Sequence, residues 1–336
     1  MSDKISVVVT CYNHESYIED CLRSIFEQTY SNIELLVFND GSTDDSGSII
    51  QEMLKESPFK ETHYYESANK GVVEVRNQAL STITGDYLLF VDSDNFLDAH
   101  HIASLYQALV AEEADIAYCQ LWDFNSKKVV LAEDLSYHLR KMLTGNIIDM
   151  SALVRVSIIA DTRFDVALNG RSLEDYDFWL SLIINHHAKP IFVSTTKLNY
   201  RVVQGSRSDH GNWESYYRAY YYILDKYKET VPYDIIEALK GNVQMWLESY
   251  TQTNQRLATT EQALNETQQA LSETQQALNE MQQALSETQQ ALNDAQLLAE
   301  QEAKSAREAH AALARLYNKL PIRIYRKLKG IGRSSS

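Results

Sequence analysis

The sequence is poor in cysteine and contains no long apolar run. Its three cysteines, Cys11, Cys21 and Cys119, are an odd number without the spacing of a metal site, which favours a reducing compartment. No apolar stretch approaches the roughly 20 residues that a membrane-spanning helix needs. A strand-like segment begins close to the amino terminus, which argues against a signal peptide. We therefore expect a cytoplasmic protein, one that could still rest on the inner face of the membrane.

Basic residues are fewer than acidic ones, 31 against 46, so the formal net charge is −15. A general nucleic-acid binder would need a basic surface, so we expect no nucleic-acid partner. The exception is the end of the chain, where seven lysines and arginines and no acid occur from Arg315 onward. Apolar and basic residues mix there, which favours an anchor to an anionic membrane surface. A disordered, solubilising tail is the alternative interpretation.

The first 120 residues alternate short apolar segments with amphipathic ones, which predicts an α/β fold with a mostly parallel sheet and right-handed crossovers. The predicted strands are residues 5–10, 33–38, 62–65 and 87–91. The predicted helices are residues 17–28, a segment that contains 49–54, and residues 72–80. Further along, we expect a helix over 174–185 and a strand over 191–193. The length of 336 residues leaves room for one large domain and an extension.

Polar residues follow the apolar strands at the edge where ligands bind to such sheets. Asp92 and Asp94 come directly after the strand over 87–91. Two carboxylates at alternate positions can share a hard cation such as Mg²⁺ or Mn²⁺, and that cation would neutralise a diphosphate leaving group. The alternative is a capping turn, in which Asp94 or Asn95 begins a helix near Ala99.

A seven-residue repeat occupies residues 263–295, and the chain contains no proline between Pro232 and Pro321. Leucine recurs at every seventh position from Leu257 to Leu292, which predicts a left-handed coiled coil and self-association. The other interface position of each heptad is mostly threonine, which packs poorly between the helices of a coiled coil. A glutamine-rich spacer is therefore the alternative.

Four motifs in order carry a resemblance to a known family. They read SVVVTCYNHESYIEDCLRSIFEQTYSNIELLVFNDGSTDDS, NKGVVEVRNQAL, GDYLLFVDSDN and LEDYDFWLSL. The chain resembles family 2 glycosyltransferases of the GT-A fold over about residues 4–208. The expected organisation is a GT-A domain over 1–210, a helical extension over 211–255, a coiled coil over 256–312 and a basic amphipathic tail over 313–336.

The resemblance implies roles for particular residues. Asp92 and Asp94 would hold the metal, and Asp175 would be the catalytic base. The implied nucleotide-sugar-binding residues are Thr10, Tyr12, Glu15, Asp40, Asn69, Lys70, Gly71, Arg76, Ser93 and Arg207.

Each of these roles has a simpler alternative. Asp40 could be an ordinary turn residue, and Arg76 a surface charge on a helix. Acids such as Asp175 are common at a helix N-terminus because they favour the helix dipole. Trp179 could stack on a sugar or pack in the core.

The sequence departs from the family pattern after Tyr200 and Arg201. Many relatives carry a histidine at the position of Val203, and valine cannot bind a metal or a phosphate. Arg207 or His210 could serve instead. The third metal ligand therefore stays open.

These features predict an inverting glycosyltransferase that moves a sugar from a nucleotide-diphosphate donor to an acceptor hydroxyl. The expected acceptor is a glycan or a lipid-linked glycan of a bacterial surface polysaccharide or glycoconjugate. One alternative is a catalytically inactive coiled-coil interaction protein. The other is a sugar nucleotidyltransferase, which would need a glycine-rich phosphate loop after the first strand. Residues 11–15 contain no glycine.

Overall fold

A computed structural model of the chain describes residues 3–130, 136–202, 213–229, 233–319 and residue 324. It divides into two compact units, Met1–Trp246 and Leu247–Ser336. The first unit extends beyond residue 210, where the predicted GT-A domain ended.

Strands and helices alternate through the first part of unit one, as the sequence predicted. They are β1 (Ile5–Cys11), α1 (Ile18–Phe26), β2 (Ile33–Asn39), α2 (Ser46–Met53), β3 (Glu61–Glu66), α3 (Val72–Leu80) and β4 (Tyr87–Asp92). A short 3-10 turn, Leu54–Glu56, follows α2. The predicted segments lie at these positions with shifts of a few residues at their ends.

The rest of unit one is less regular. It comprises β5 (Phe96–Leu97), α4 (His101–Ala111), β6 (Ile116–Asp123), β7 (Lys128–Val129), α5 (Leu139–Thr144), β8 (Leu153–Arg155), α6 (Val156–Ile159), α7 (Glu174–Asn185), β9 (Pro190–Tyr200) and α8 (Trp213–Tyr227). A second 3-10 turn, Val166–Leu168, lies before α7. The predicted helix over 174–185 coincides with α7, whereas the predicted strand over 191–193 is part of the longer β9.

All nine strands of the described residues form one sheet in the order β3-β2-β1-β4-β8-β6-β9-β5, with β7 paired to β6. The strands from β3 to β4 are parallel, and β6 and β9 are also parallel. The pairs made by β8, β5 and β7 are antiparallel and short. The carboxyl ends of β1, β2 and β4 therefore meet at one edge.

Two apolar cores cover the two faces of this sheet. Val7 and Val9 of β1 pack with α1 in one core, while Val8 packs in the other core with residues of α3 and α7. This alternation explains why the apolar strands are buried on both faces. Trp179 is fully buried in the second core, so the sugar-stacking interpretation of this residue was wrong.

A single long helix, α9 (Tyr233–Lys319), runs into unit two and has 87 residues. One long helix over this proline-free stretch is consistent with the predicted coiled coil, whose self-association stays a prediction. The heptad leucines of α9 are between 46% and 68% exposed. Most of the basic tail lies outside the described residues.

Among the described residues, no helix is both long enough and apolar enough to cross a membrane.

Candidate functional site

The loops that follow β1 and β2 are joined by hydrogen bonds at the carboxyl edge of the sheet. The backbone N–H of Asn13 donates to Ser42 Oγ at 3.0 Å, and Asn13 Oδ1 accepts the N–H of Thr43 at 2.8 Å. Glu15 Oε2 accepts the N–H of Asp45 at 2.9 Å. Asn13 has a φ of 54°, which asparagine tolerates better than most residues. These contacts hold the two loops as one surface.

Tyr12 and Thr10 flank this surface. The Tyr12 side chain is 46% exposed, so its ring is available to a ligand. Thr10 lies at the end of β1, where its Oγ1 donates to Asp92 Oδ1 over 3.5 Å.

A third loop, Asn69–Lys70–Gly71, closes on the end of β2 and is called here the 69–71 loop. The two carboxylate oxygens of Asp40 accept the backbone N–H groups of Lys70 and Gly71, each at 2.9 Å. Gly41 makes this approach possible, because a Cβ at that position would lie 2.5 Å from the backbone nitrogen of Asn69. Asp40 is buried, and it acts here as a clamp on the loop.

Arg76 is buried at the centre of the site with 1% of its surface exposed. Its two terminal nitrogens donate to Glu174 Oε1 at 3.0 Å and to Asp92 Oδ1 at 2.9 Å. Its guanidinium lies 5.8 and 5.7 Å from the ring centroids of Phe90 and Phe164. Burial lowers the pKa of Arg76, but the charges of Asp92 and Glu174 outweigh this effect and raise it. The interpretation of Arg76 as a surface charge was therefore wrong.

Asp92 and Asp94 lie half-buried at the end of β4. The backbone carbonyl of Asp94 accepts a hydrogen bond from Arg201 Nε at 3.0 Å, and the Arg201 guanidinium lies 4.5 and 4.7 Å from the ring centroids of Tyr17 and Phe124. These contacts hold the main chain of the Asp92–Asp94 segment. Helix α4 begins after His100, so neither Asp94 nor Asn95 caps it and that alternative was wrong.

Ser93 points away from the solvent between these two aspartates. It is fully buried, and its Oγ lies 2.7 Å from His14 Nδ1 in the loop after β1. The buried hydroxyl therefore ties the loop after β1 to the segment after β4.

The two aspartates fit a divalent cation. Burial and the neighbouring charge of Asp92 together raise the pKa of Asp94 to about 7. A bound cation would relieve this cost of holding two negative charges together. Within the described ranges, no group of three or more histidines, cysteines or acids could hold a metal. Mg²⁺ commonly uses one or two carboxylates and completes its shell with substrate phosphates and water, which two aspartates allow.

Asp175 is held at the N-terminus of α7. Its Oδ2 accepts a hydrogen bond from Asn146 Nδ2 at 2.8 Å, and its Oδ1 accepts the backbone N–H of Tyr176 at 2.8 Å. Burial, together with the charges of Glu174 and Asp149, raises the pKa of Asp175 to about 7. A carboxylate with a pKa near neutral pH is suited to accept a proton.

The first turn of α7 does contain three acids, as the helix-dipole interpretation expected. Glu174 is paired with Arg76, and Asp177 accepts a hydrogen bond from Lys226 Nζ at 2.7 Å. Asp175 differs from both, because it forms no salt bridge with a described residue, and the charge of Arg76 acts on it without direct pairing.

Two residues between α5 and β8, Asn146 and Asp149, also belong to the site and carry no signal in the sequence. Asn146 holds Asp175. Burial raises the pKa of Asp149, and the charge of Asp92 adds to the shift, so Asp149 belongs to the same acidic group. No motif marks either residue, and only a charge or amide in an otherwise apolar stretch could have drawn attention to them.

Contacts among the described residues link Thr10 and Arg76 to Asp92, and link Asp40 to Lys70 and Gly71. One predicted site residue lies outside the described part of the chain. Arg207 lies within residues 203–212, outside the described ranges. Val203 and His210 lie there too.

A model of the family described as "Glycosyl transferase family 2" matches residues 6–163. The chain is 32% identical over 230 residues to Glycosyltransferase GlyA of Streptococcus pneumoniae, a match that covers 62% of this chain and 32% of GlyA. It is 31% identical over 185 residues to an uncharacterized glycosyltransferase of Haemophilus influenzae, covering 53% of this chain and 71% of that protein. The chain spans about a third to three fifths of the length of the first curated relatives it matches.

Solved structures that share the fold include TarS and PcManGT. TarS of S. aureus (residues 1–349), in complex with UDP-GlcNAc, has a TM-score of 0.59 and 20% identity, covering 71% of each chain. The mannosyltransferase PcManGT of Pyrobaculum calidifontis, in complex with GDP-Man and Mn²⁺, has a TM-score of 0.51 and 16% identity, covering 74% of this chain and 81% of its own. These likenesses confirm the expected GT-A-like fold.

Proposed function

This chain belongs to glycosyl transferase family 2, and from that premise we propose that it moves a sugar from a nucleoside diphosphate to an acceptor hydroxyl. The observation that carries the proposal is the position of Asp175. It is a carboxylate with a raised pKa, and it follows Glu174, which is joined through Arg76 to Asp92. This arrangement supports a site in which a proton acceptor works beside a charge-stabilising pair.

Asp175 acts as the general base in this reaction. The acceptor oxygen attacks the anomeric carbon, and its proton passes to the Asp175 carboxylate. The bond between the anomeric carbon and the diphosphate oxygen breaks, and the electron pair leaves with the diphosphate. Attack on the side opposite the leaving group inverts the anomeric centre, as in inverting glycoside hydrolysis with water as the nucleophile.

Asp92 and Asp94 would hold Mg²⁺ or Mn²⁺. The cation supplies charge neutralisation to the departing diphosphate. Arg76 donates to Asp92 at 2.9 Å. Its role is therefore to position Asp92 as a ligand of the metal. The Mn²⁺ in the PcManGT complex supports this choice of cation.

The donor nucleotide binds over the loops after β1 and β2. Tyr12 offers an exposed ring to it, and Thr10, Glu15 and Ser93 shape the surface beneath. Asp40 holds the 69–71 loop against the base and ribose side. Arg207 would meet the diphosphate. A uridine diphosphate sugar is the first donor to test, which the TarS complex with UDP-GlcNAc supports.

The acceptor is a glycan or a lipid-linked glycan of a bacterial surface polymer. Bacterial relatives support this, among them one named teichoic acid poly(glycerol phosphate) polymerase, of Staphylococcus epidermidis, 31% identical over 183 residues. We propose that the enzyme works in the cytoplasm, and that the basic tail rests on the inner face of the membrane where such an acceptor is held.

Thermal unfolding with a panel of nucleoside diphosphates tests the donor site. With one nucleotide at about a hundredfold its Kd and Mn²⁺ present, we expect the Tm to rise by about 5 to 10 °C. The Asp94→Asn variant should lose the metal-dependent part of this rise. Asp161→Asn, a change at an exposed residue, should keep it. A folded wild type that no nucleotide stabilises, with or without Mn²⁺, would contradict the proposal.

We further propose that α9 binds a second copy of this chain through its heptad face. The leucines of this face are exposed, and the threonines at the second core position turn their hydroxyls inward. Thr267, Thr274 and Thr288 each donate to the backbone carbonyl four residues earlier, at 2.7 to 2.8 Å. Because the hydroxyl is satisfied within its own helix, the methyl group is free to join an apolar seam.

Sedimentation of the full chain tests this association. Three leucines changed to serine should convert an oligomer to a monomer: Leu271, Leu278 and Leu285. Three glutamines on the opposite side of the helix, changed to serine, form the matched control: Gln269, Gln276 and Gln283. A monomeric wild type, or leucine variants that sediment like the control, would refute the proposal.

A further inference from the structure

Asn169 contacts the 69–71 loop and lies on the segment that precedes Asp175. It follows the 3-10 turn Val166–Leu168 and begins the segment that leads to Asp175, six residues later. No motif in the sequence includes it.

The side chain of Asn169 fits closely against the 69–71 loop. Its Nδ2 donates to the backbone carbonyl of Lys70 at 2.7 Å. A Cβ added at Gly71 would lie 2.3 Å from Asn169 Oδ1, a distance that real contacts do not reach. Gly71 also has a φ of 89°, in the region that favours glycine. The pair therefore forms a contact that tolerates neither a larger residue at 71 nor a longer one at 169.

The main chain around Asn169 is fixed to α3 rather than free to adjust. Asn77 of α3 donates from Nδ2 to the carbonyl of Phe164 at 2.9 Å and accepts the N–H of Phe164 at 2.8 Å. Asp165 Oδ1 accepts the N–H of Ala167 at 3.0 Å and so begins the 3-10 turn. Asn169 is thereby presented to the loop from a rigid support.

The 69–71 loop is consequently held from two directions. Asp40 binds its N–H groups from the end of β2, and Asn169 binds its carbonyl from the segment that carries the base. The Oδ1 atom of Asn169 is buried without a hydrogen-bond partner among the described residues. A buried oxygen without a hydrogen bond raises the free energy of the folded state. The position of the amide is therefore determined by the Nδ2 hydrogen bond and by the close packing against Gly71.

We propose that Asn169 is a positioning residue that holds the 69–71 loop in the conformation that receives the donor, and that it links this loop to the segment bearing Asp175. The proposal rests on the proposed function. Asn169 touches neither reacting atom, so its effect is on donor affinity more than on the chemical step.

The isosteric variant Asn169→Asp tests the contact. It keeps the shape but removes the N–H donor and places a carboxylate oxygen against the Lys70 carbonyl. The affinity for the nucleoside diphosphate that stabilises the wild type, with UDP and Mn²⁺ measured first, should fall at least about tenfold. The KM for the donor should rise by a similar factor, while kcat at saturating donor changes less. At low pH the carboxyl introduced at position 169 becomes protonated and can again donate to the Lys70 carbonyl. The difference in nucleotide affinity between Asn169→Asp and the wild type should therefore decrease as the pH is lowered to about 5.

Val166→Ala is the matched control, since Val166 lies on the same segment with 61% of its surface exposed, and it should bind the nucleotide like the wild type. Hydrogen exchange gives a readout that needs no nucleotide: the Lys70 and Gly71 amides should exchange faster in Asn169→Asp and not in Val166→Ala. If the wild type binds and Asn169→Asp binds within twofold of it, the positioning role is refuted. If the wild type binds no nucleotide, the proposed function fails instead. The exchange rates of the Lys70 and Gly71 amides then test only whether Asn169 holds the 69–71 loop. Unchanged rates in Asn169→Asp would refute that role.

Discussion

Replacing Asp175 with asparagine should reduce sugar transfer by about a thousandfold, within the 10²–10⁴ range of general-base catalysis. Asparagine has nearly the same shape, and its one accepting oxygen can keep one of the two hydrogen bonds that Asp175 accepts, from Asn146 Nδ2 or from the Tyr176 N–H, each at 2.8 Å. It cannot take the proton of an acceptor hydroxyl. Release of nucleoside diphosphate from the donor measures the loss, and the Tm rise with nucleotide and Mn²⁺ should remain.

Asp161→Asn is the matched control, because it makes the same chemical change at an exposed position, and it should transfer at the wild-type rate. Near-normal transfer by Asp175→Asn would remove Asp175 from the role of base. Loss of nucleotide binding together with transfer would instead assign Asp175 to donor binding.

The pH dependence follows from the same residue. Burial and the charges of Glu174 and Asp149 raise the pKa of Asp175 to about 7. Below that pKa the base is protonated and cannot act, so kcat/KM should fall about tenfold for each pH unit lost. Above it the rate should level off. A rate that is constant from about pH 5 to pH 8 would contradict this assignment of the base.

Replacing Arg76 with methionine should destabilise the first unit by about 3 to 5 kcal/mol, because it leaves buried carboxylates without their cation. Glu174 has 9% of its side chain exposed and loses its 3.0 Å partner. Asp92 loses its 2.9 Å partner as well. For a unit of this size the Tm should fall by about 6 to 20 °C. Thermal unfolding measures the fall.

Arg23→Met is the matched control, since Arg23 is paired with Glu19 at 2.7 Å but is 53% exposed. Solvent screens exposed pairs of this kind, and they contribute little to stability, so its Tm should change by about 2 °C or less. Equal effects of the two variants would show that the Arg76 pairs are no more important than a surface pair. Arg76→Met should also weaken metal-dependent nucleotide binding, because Asp92 is no longer held.

The sequence predicted the first half of the fold well because its signals are local. The runs of β1, β2 and β4 are apolar on both faces, and polar residues follow each of them. That pattern located the carboxyl edge, and with it Asp92 and Asp94. The heptad leucines likewise predicted α9, since a repeat of seven needs no knowledge of distant contacts.

The second half could not be predicted in the same way. Strands β5, β7 and β8 have only two or three residues, too few for an alternating pattern to show. Their places in the sheet depend on antiparallel pairing with distant strands.

The interior of the site was hidden for a related reason. Without the resemblance, Arg76 could equally be a surface residue, because its partners, Asp92 and Glu174, lie 16 and 98 positions away in the chain. Asn169 meets Lys70 across 99 positions. Contacts at such separations leave no mark in the spacing of one sequence, and only the fold brings them together.

The release of nucleoside diphosphate by the full wild-type chain, offered a panel of nucleotide sugars, tests the proposed reaction most directly. With Mn²⁺ or Mg²⁺ present, release should occur from one nucleotide class, increase when the correct acceptor glycan is added, and stop when a chelator removes the cation. Release from no donor by a folded, nucleotide-binding sample, or release unaffected by the chelator, would contradict a metal-dependent transferase centred on Asp92, Asp94 and Asp175.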